Sequence, residues 1–284
     1  MISFGIRNLK VFFKDKSSVF FSLLAVFIII GLYVLFLGDV LSGNLSDLPG
    51  ARFMMDSWIM AGMLAVTTVT TTMGAFGIMV QDKERKLIKD FAASPVKKSS
   101  IVGGYIMGAL VIGIIMSLIT LVLAELYIIS GGGKLMDVPT LLKVLGLIIL
   151  GTLCNTSMVL FMVSFFKSNN AFATASTILG TLIGFLTGIY IPIGSLPEGV
   201  QWVVKCFPVS HGAVLFRQVM MDAPMAESFA GAPVSAINEF KETMGVIFKF
   251  GDTTISPLTS IIILLATAVV FYGLSIINLS RKEK

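Results

Sequence analysis

The sequence predicts an all-α polytopic membrane protein. It has six transmembrane helices, an interfacial helix before the first, and a re-entrant helical hairpin after the fifth. Three observations carry that reading. Hydrophobic residues make up 56% of the 284-residue chain and charged residues only 13%, against roughly 45–50% and ~25% in a soluble domain. Apolar runs of about 18 residues or more, the length of a spanning helix, recur along the chain. Basic residues are distributed unevenly between those runs, and this orients them.

Residues 2–16 mix Phe4, Leu9, Val11, Phe12 and Phe13 with Arg7, Lys10, Lys14 and Lys16. The segment is too short to cross a hydrocarbon core of ~30 Å and reads as an amphipathic helix lying in the interface. The apolar run that follows lacks a small-residue cleavage site, so a retained span is expected rather than a signal peptide. The expected spans are Ser18–Gly38, Ser57–Val80, Ile101–Ile129, Leu141–Phe166, Ala171–Ile191 and Leu258–Leu279. One side of them receives Arg7 to Lys16, the basic residues of 81–100, Lys167 and the Lys/Arg of the C-terminus. The other receives half as many: Arg52, Lys134, Lys143, Lys205, Arg217, Lys241 and Lys249. The richer side is expected to be cytoplasmic, with both termini and residues 81–100 on it. The net charge of +5 then reflects membrane orientation and contact with anionic lipid, not nucleic-acid binding. Cys154 and Cys206 form no CxxC or His/Cys cluster, so neither a metal site nor a disulfide framework is expected.

The stretch after the fifth span, GIYIPIGSLPEGVQWVVKCFPVSHG, is apolar but broken by Pro192, Pro197 and Pro208. Ser195 and Glu198 fit an S-x-x-E capping box. A helix begun there and stopped before Pro208 reaches less than ~20 Å, too short to span. It is expected to dip into the outer leaflet, with His211–Met221 as the return arm and Pro192, Trp202, Phe207 and Pro208 as an external gate. In the external segment 222–257, Ile237, Phe240, Met244, Ile247 and Phe248 recur at helical spacing and predict one amphipathic helix.

Within the membrane, the fifth span carries Ser176, Gly180, Gly184 and Gly188 four apart, a small-residue ridge that permits close helix approach. The second span carries Thr67, Thr68, Thr70, Thr71 and Thr72, then Gly74 and Gly77. Such hydroxyls bond to their own helix or across to another. Two readings stand for these residues. One is ordinary packing within the chain. The other, for Thr67, Thr71, Ser176, Gly180, Gly184 and Gly188, is a pathway or subunit interface. Glu125 is the one carboxylate inside a span and lies near its outer end, as an interfacial group. His211, the only histidine, is expected in the packing of the hairpin.

The most charged segment, QDKERKLIKDFAASPVKKSS, holds Leu87, Ile88 and Phe91 among its charges. Together with FLTGIYIPIGSLPEGVQWVVKCFPVSHGAVLFRQ, it resembles the ABC-2 family of ABC-transporter permeases over nearly the whole chain. The family often has Gly-Thr where this chain has Leu87 and Ile88. The resemblance implies a cytoplasmic coupling helix near residues 82–94 that docks into a cleft on a separate ATP-binding subunit, with Glu84, Leu87, Ile88, Phe91 and Pro95 as its contacts. An apolar face of Leu87, Ile88 and Phe91 suits such a groove, and the charges keep the helix out of the bilayer. The alternative is a surface helix lying on lipid.

No phosphate-binding G-x-x-x-x-G-K-[ST] loop occurs, and Gly131-Gly132-Gly133-Lys134 lacks its outer residues. ATP and Mg are therefore expected on the partner, present in two copies, with a second permease subunit completing a homo- or heterodimer. The expected function is transport, not catalysis: the permease half of an exporter of amphipathic cargo in the bacterial cytoplasmic membrane. Lipid-linked polysaccharide ranks lower as cargo, because Trp58 and Trp202 are the only tryptophans. An ion-coupled secondary transporter lacks ionisable midplane sites here. An intramembrane enzyme lacks a nucleophile–base pair or paired acids.

Overall fold

A computed structural model describes residues 1–33, 35, 48–93, 97–251 and 253–281. The chain starts with α1 (Ile2–Lys14) and α2 (Lys16–Leu32), joined at Asp15. That residue closes α1 and caps α2, its carboxylate accepting from Ser17 N at 3.1 Å and Ser18 N at 3.2 Å. The turn between the two helices is thus set by one side chain supplying the acceptor that a helix N-terminus requires.

The long α3 (Ala51–Glu84) is the axis of the molecule. It is buried nearly all round, and α5 (Lys98–Ser130), α6 (Val138–Phe165) and α9 (Pro208–Met220) are its main neighbours. Its 34 residues extend about 51 Å, well past a hydrocarbon core. The last helix, α12 (Pro257–Arg281), packs on α6 and leaves a broad apolar face outward, including Leu258, Ile262, Val269 and Ile276. Among the described residues, four helices, α3, α5, α6 and α12, are long and apolar enough to cross a membrane. The described α2 and α7 (Asn169–Leu186) are shorter, at 17 and 18 residues, and reach about 26–27 Å.

Between α7 and α12 run α8 (Glu198–Cys206), α9, α10 (Asp222–Ser228) and α11 (Val234–Thr243). A small antiparallel β-hairpin follows, β1 (Lys249–Phe250) with β2 (Thr253–Thr254), pairing Lys249 with Thr254.

Four expectations about element ends are corrected. The fifth span was expected to reach Ile191, but α7 stops at Leu186. Gly188 adopts φ +69°, Ile189 N donates to Gly184 O at 2.9 Å, and Gly188 N donates to Phe185 O at 3.0 Å. That pair of bonds is the Schellman stop, which needs a residue free to turn left-handed. The same stop at Gly245 (φ +64°) ends α11 at Thr243, so Ile247 and Phe248 lie beyond the helix expected to contain them. The capping box is not made. Ser195 sits in a 3-10 turn (Ile193–Ser195), and the N-cap of α8 is Pro197, with no side-chain cap. Gln201 Nε2 instead donates to Gly194 O and Leu196 O. Finally, Asp82 and Glu84 belong to the end of α3. The short α4 (Leu87–Ala93) begins only after Lys86, whose φ of +63° breaks the helix.

Candidate functional site

Two regions gather the side chains with chemistry. The first is the corner where α3 hands over to α4. Asp82 is buried there although charged. It accepts from Arg7 Nη2 at 2.9 Å through Oδ1, and from Arg7 Nη1 and Tyr105 Oη (2.6 Å) through Oδ2. The two-pronged guanidinium–carboxylate pair is short, directional and charge-assisted. Its bond to Asp82 raises the pKa of Arg7 further above its ordinary value. The Arg7 guanidinium also lies 5.5 Å from the Phe4 ring centre and 5.4 Å from that of Phe91, while Phe4 meets Phe91 edge-on at 5.1 Å. The corner therefore ties α1, α3, α4 and α5 into one knot. Close approach of α1 to α5 is possible because Gly104 and Gly108 present no side chain to Phe4 and Asn8, and Asn8 Nδ2 donates to Gly104 O at 3.3 Å.

The residues expected in this region separate into distinct surroundings. Phe91 packs inward on α1. Leu87 and Ile88 are half-buried, and Asp90 is exposed. Glu84 accepts from Asn169 N at 3.1 Å and Asn169 Nδ2 at 2.6 Å, capping the start of α7. Pro95 lies outside the described residues. Sequence reasoning missed the Arg7–Asp82–Tyr105 knot, whose members are distant in sequence. The one available signal was Asp82 as the first charge after a long apolar helix.

The second region is the hairpin of α8 and α9. Pro208 opens α9 in the first turn, where its missing N–H costs nothing. His211 Nε2 donates to Lys205 O at 2.9 Å, which leaves Nδ1 to accept from Ser260 Oγ at 3.0 Å. Burial lowers the pKa of this imidazole, and its two ring nitrogens pin α8, α9 and α12 together. Trp202 is exposed and meets Phe250 edge-on at 4.9 Å, Phe207 packs on the core, and Pro192 is half-buried. Val200 and Val203 are exposed, as is Glu198.

At the base of this hairpin lies a residue whose setting sequence reasoning missed. Arg217 is fully buried, and no hydrogen-bond acceptor meets any of its three guanidinium nitrogens among the described residues. Its Cζ lies 4.6 Å from the centre of the Trp58 ring, whose own Nε1 donates to Met244 O at 2.7 Å. Three glycines wall the guanidinium: a Cβ on Gly62, Gly188 or Gly245 would come within 3.2–3.3 Å of its terminal nitrogens. The available signal was an arginine inside the apolar run VLFRQVM.

The intramembrane residues also divide. Thr67 and Thr71 are fully buried inside the chain, donating to Met63 O at 2.8 Å and Thr67 O at 2.6 Å of their own helix. One threonine is bridged across helices, Asn155 Nδ2 donating to Thr68 Oγ1 at 2.8 Å. On α7 the ridge splits. Ser176 is half-buried and Gly180 faces open space, whereas Gly184 is covered by Tyr190 and Gly188 by Ile193. An open stripe remains, with Thr174, Thr177, Ile178, Thr181, Leu182 and Phe185 exposed.

A model of the ABC-2 family transporter proteins matches residues 51–277. The chain belongs to that family. It is thus an ABC-2 permease, the membrane part of an ABC transporter, and its apolar helices are those of a membrane protein. No curated protein matches the sequence. The matched segment of this ABC-2 permease starts with α3 and leaves out α1, so the knot at Asp82 joins matched and unmatched parts of the chain.

Proposed function

We propose that this ABC-2 permease forms the transmembrane half of an ATP-driven exporter. It works as a dimer of permeases with two copies of an ATP-binding subunit, in the bacterial cytoplasmic membrane. Six spans cross the bilayer, with α2 and α7 added to the four longest helices, and both termini are cytoplasmic. The observation that carries the reading is the corner. A short helix with Asp90 exposed hangs from the end of the most buried described helix, at a left-handed residue, and is clamped to α1. A push on α4 is transmitted to α3 and α1 together, because Asp82, Arg7 and Phe91 link all three. The exposed Asp90 marks the docking side of α4, while Phe91, with Leu87 and Ile88 flanking it on the helix, holds the helix to its own chain. ATP and Mg act on the partner.

The open stripe of α7 supports a route or subunit contact along that helix. The cargo is amphipathic, a drug, peptide or lipid-like molecule, since the stripe alternates threonines with aliphatic and aromatic side chains. The exposed Val200, Trp202 and Val203 of α8 lie in the outer leaflet, and the hairpin seals the route there. The test is transport by the co-purified complex in vesicles, across a panel of amphipathic cargoes. Outward movement is expected with ATP and not with an imposed ion gradient alone. Transport driven by the gradient without ATP contradicts the reading.

A further inference from the structure

Glu125 is the charge that the transport reading leaves unused, and it faces a cavity of about 390 Å³. That volume lies in the range of small-molecule sites, ~300–1,000 Å³. The walls are mainly apolar: Phe53 from α3, Ile128 from α5, Leu135 and Met136 from the following loop, and Val219 and Met220 from α9. Three carboxylates line it, Glu125, Asp137 and Glu227, against the single ammonium of Lys134. That ammonium is already held by Glu227 at 2.7 Å. Glu125 Oε2 accepts from Met136 N at 3.1 Å, and no cation pairs with the carboxylate among the described residues. An apolar chamber with one uncompensated, half-buried carboxylate complements a molecule with an apolar body and one positive end. A neutral molecule leaves the charge unanswered, and an anion meets three carboxylates.

We propose that this cavity is a binding site for an amphipathic ammonium ligand, with Glu125 receiving the cation and the apolar walls its body. On the orientation proposed above its mouth opens on the external side. Binding itself does not depend on that orientation or on transport, so the site and the exporter reading fail separately.

The experiment uses the full chain in phosphatidylglycerol nanodiscs, with empty nanodiscs as the blank. The probes are 4-phenylbutylammonium, the neutral 4-phenylbutan-1-ol and the anionic 5-phenylpentanoate. Saturable binding of the ammonium is expected, at least tenfold tighter than the alcohol, with the carboxylate weakest. Glu125→Gln keeps an oxygen for Met136 N but removes the charge, and should bring the ammonium to the affinity of the alcohol. Ala223→Trp places a large side chain at an exposed position of the lining and should abolish binding of both. Adding phosphatidylethanolamine sorts the source: competition assigns the ammonium to a lipid headgroup, and its absence to a free amphipath. Equal affinity for ammonium and alcohol, a preference that survives Glu125→Gln, or binding untouched by Ala223→Trp overturns the proposal.

Discussion

Arg217 and Asp82 solve the same problem in opposite ways. Each is a buried charge, which is costly unless paired. Asp82 is answered by Arg7 and Tyr105. Among the described residues, removing it leaves Arg7 with Asn8 Oδ1 alone as acceptor and a buried tyrosine hydroxyl with none from Asp82. Asp82→Ala should cost about 1–3 kcal/mol, the range for stranding buried partners, read as a lower thermal unfolding midpoint and faster proteolysis at α1. Among the described residues Arg217 has only the face of Trp58, an interaction of ~2 kcal/mol when desolvated. Replacing it by a long apolar side chain removes the burial cost as well. Arg217→Met should therefore leave the unfolding midpoint unchanged or raise it. A clearly lower midpoint would show that the guanidinium holds the hairpin in place. The sequence displayed both residues but not their surroundings, since Arg7 and Asp82 are 75 positions apart and Trp58 is far from Arg217. Hydropathy measures what a residue is, not what it meets.

The helices follow the same division between what local sequence shows and what packing decides. The four longest apolar helices cover the apolar runs of the sequence, and in lipid a run of that length has to satisfy its backbone within its own helix. Their ends are set by single residues in left-handed geometry. Gly188 and Gly245 are legible as stops only once the Schellman bonds are seen, and Lys86 carries no sequence signal for its positive φ. The ridge on α7 was half legible: Gly180 is open, but Gly184 lies under Tyr190. Two substitutions separate these roles. Gly188→Ala forces a Cβ into a left-handed residue, at roughly 1–2 kcal/mol, and toward Ile193 at 2.7 Å, so the unfolding midpoint should fall. A Cβ added at Gly180 meets nothing within 4 Å among the described residues, and Gly180→Leu should leave the monomer's stability within about 0.5 kcal/mol. If the α7 face is a subunit contact, the same change reduces the dimer fraction in mass photometry. An unchanged dimer places the contact elsewhere.

At the scale of the whole molecule, the chain is a bundle built on α3, with the short α4 hanging from its end. Phe91 was expected to fill a groove on a partner, and within the chain its half-buried ring meets Phe4 and Arg7. A double-mutant cycle of Phe4→Ala and Phe91→Ala should return a coupling of about 0.5–1.5 kcal/mol, as for an aromatic pair in contact. Additive effects in unfolding would deny the clamp. The class of the protein was readable from hydropathy and two motifs, whereas the clamp of α4 on α1 required the fold. The claim on which the account rests is that α4 receives the ATP-binding subunit. It is tested most directly by photo-crosslinking in cells, with the reactive side chain at exposed Asp90 on α4 or at exposed Glu198 on α8. The account predicts capture of an ATP-binding cassette protein from position 90 and none from position 198. Capture from position 198 alone, or only lipid adducts at position 90, would contradict it.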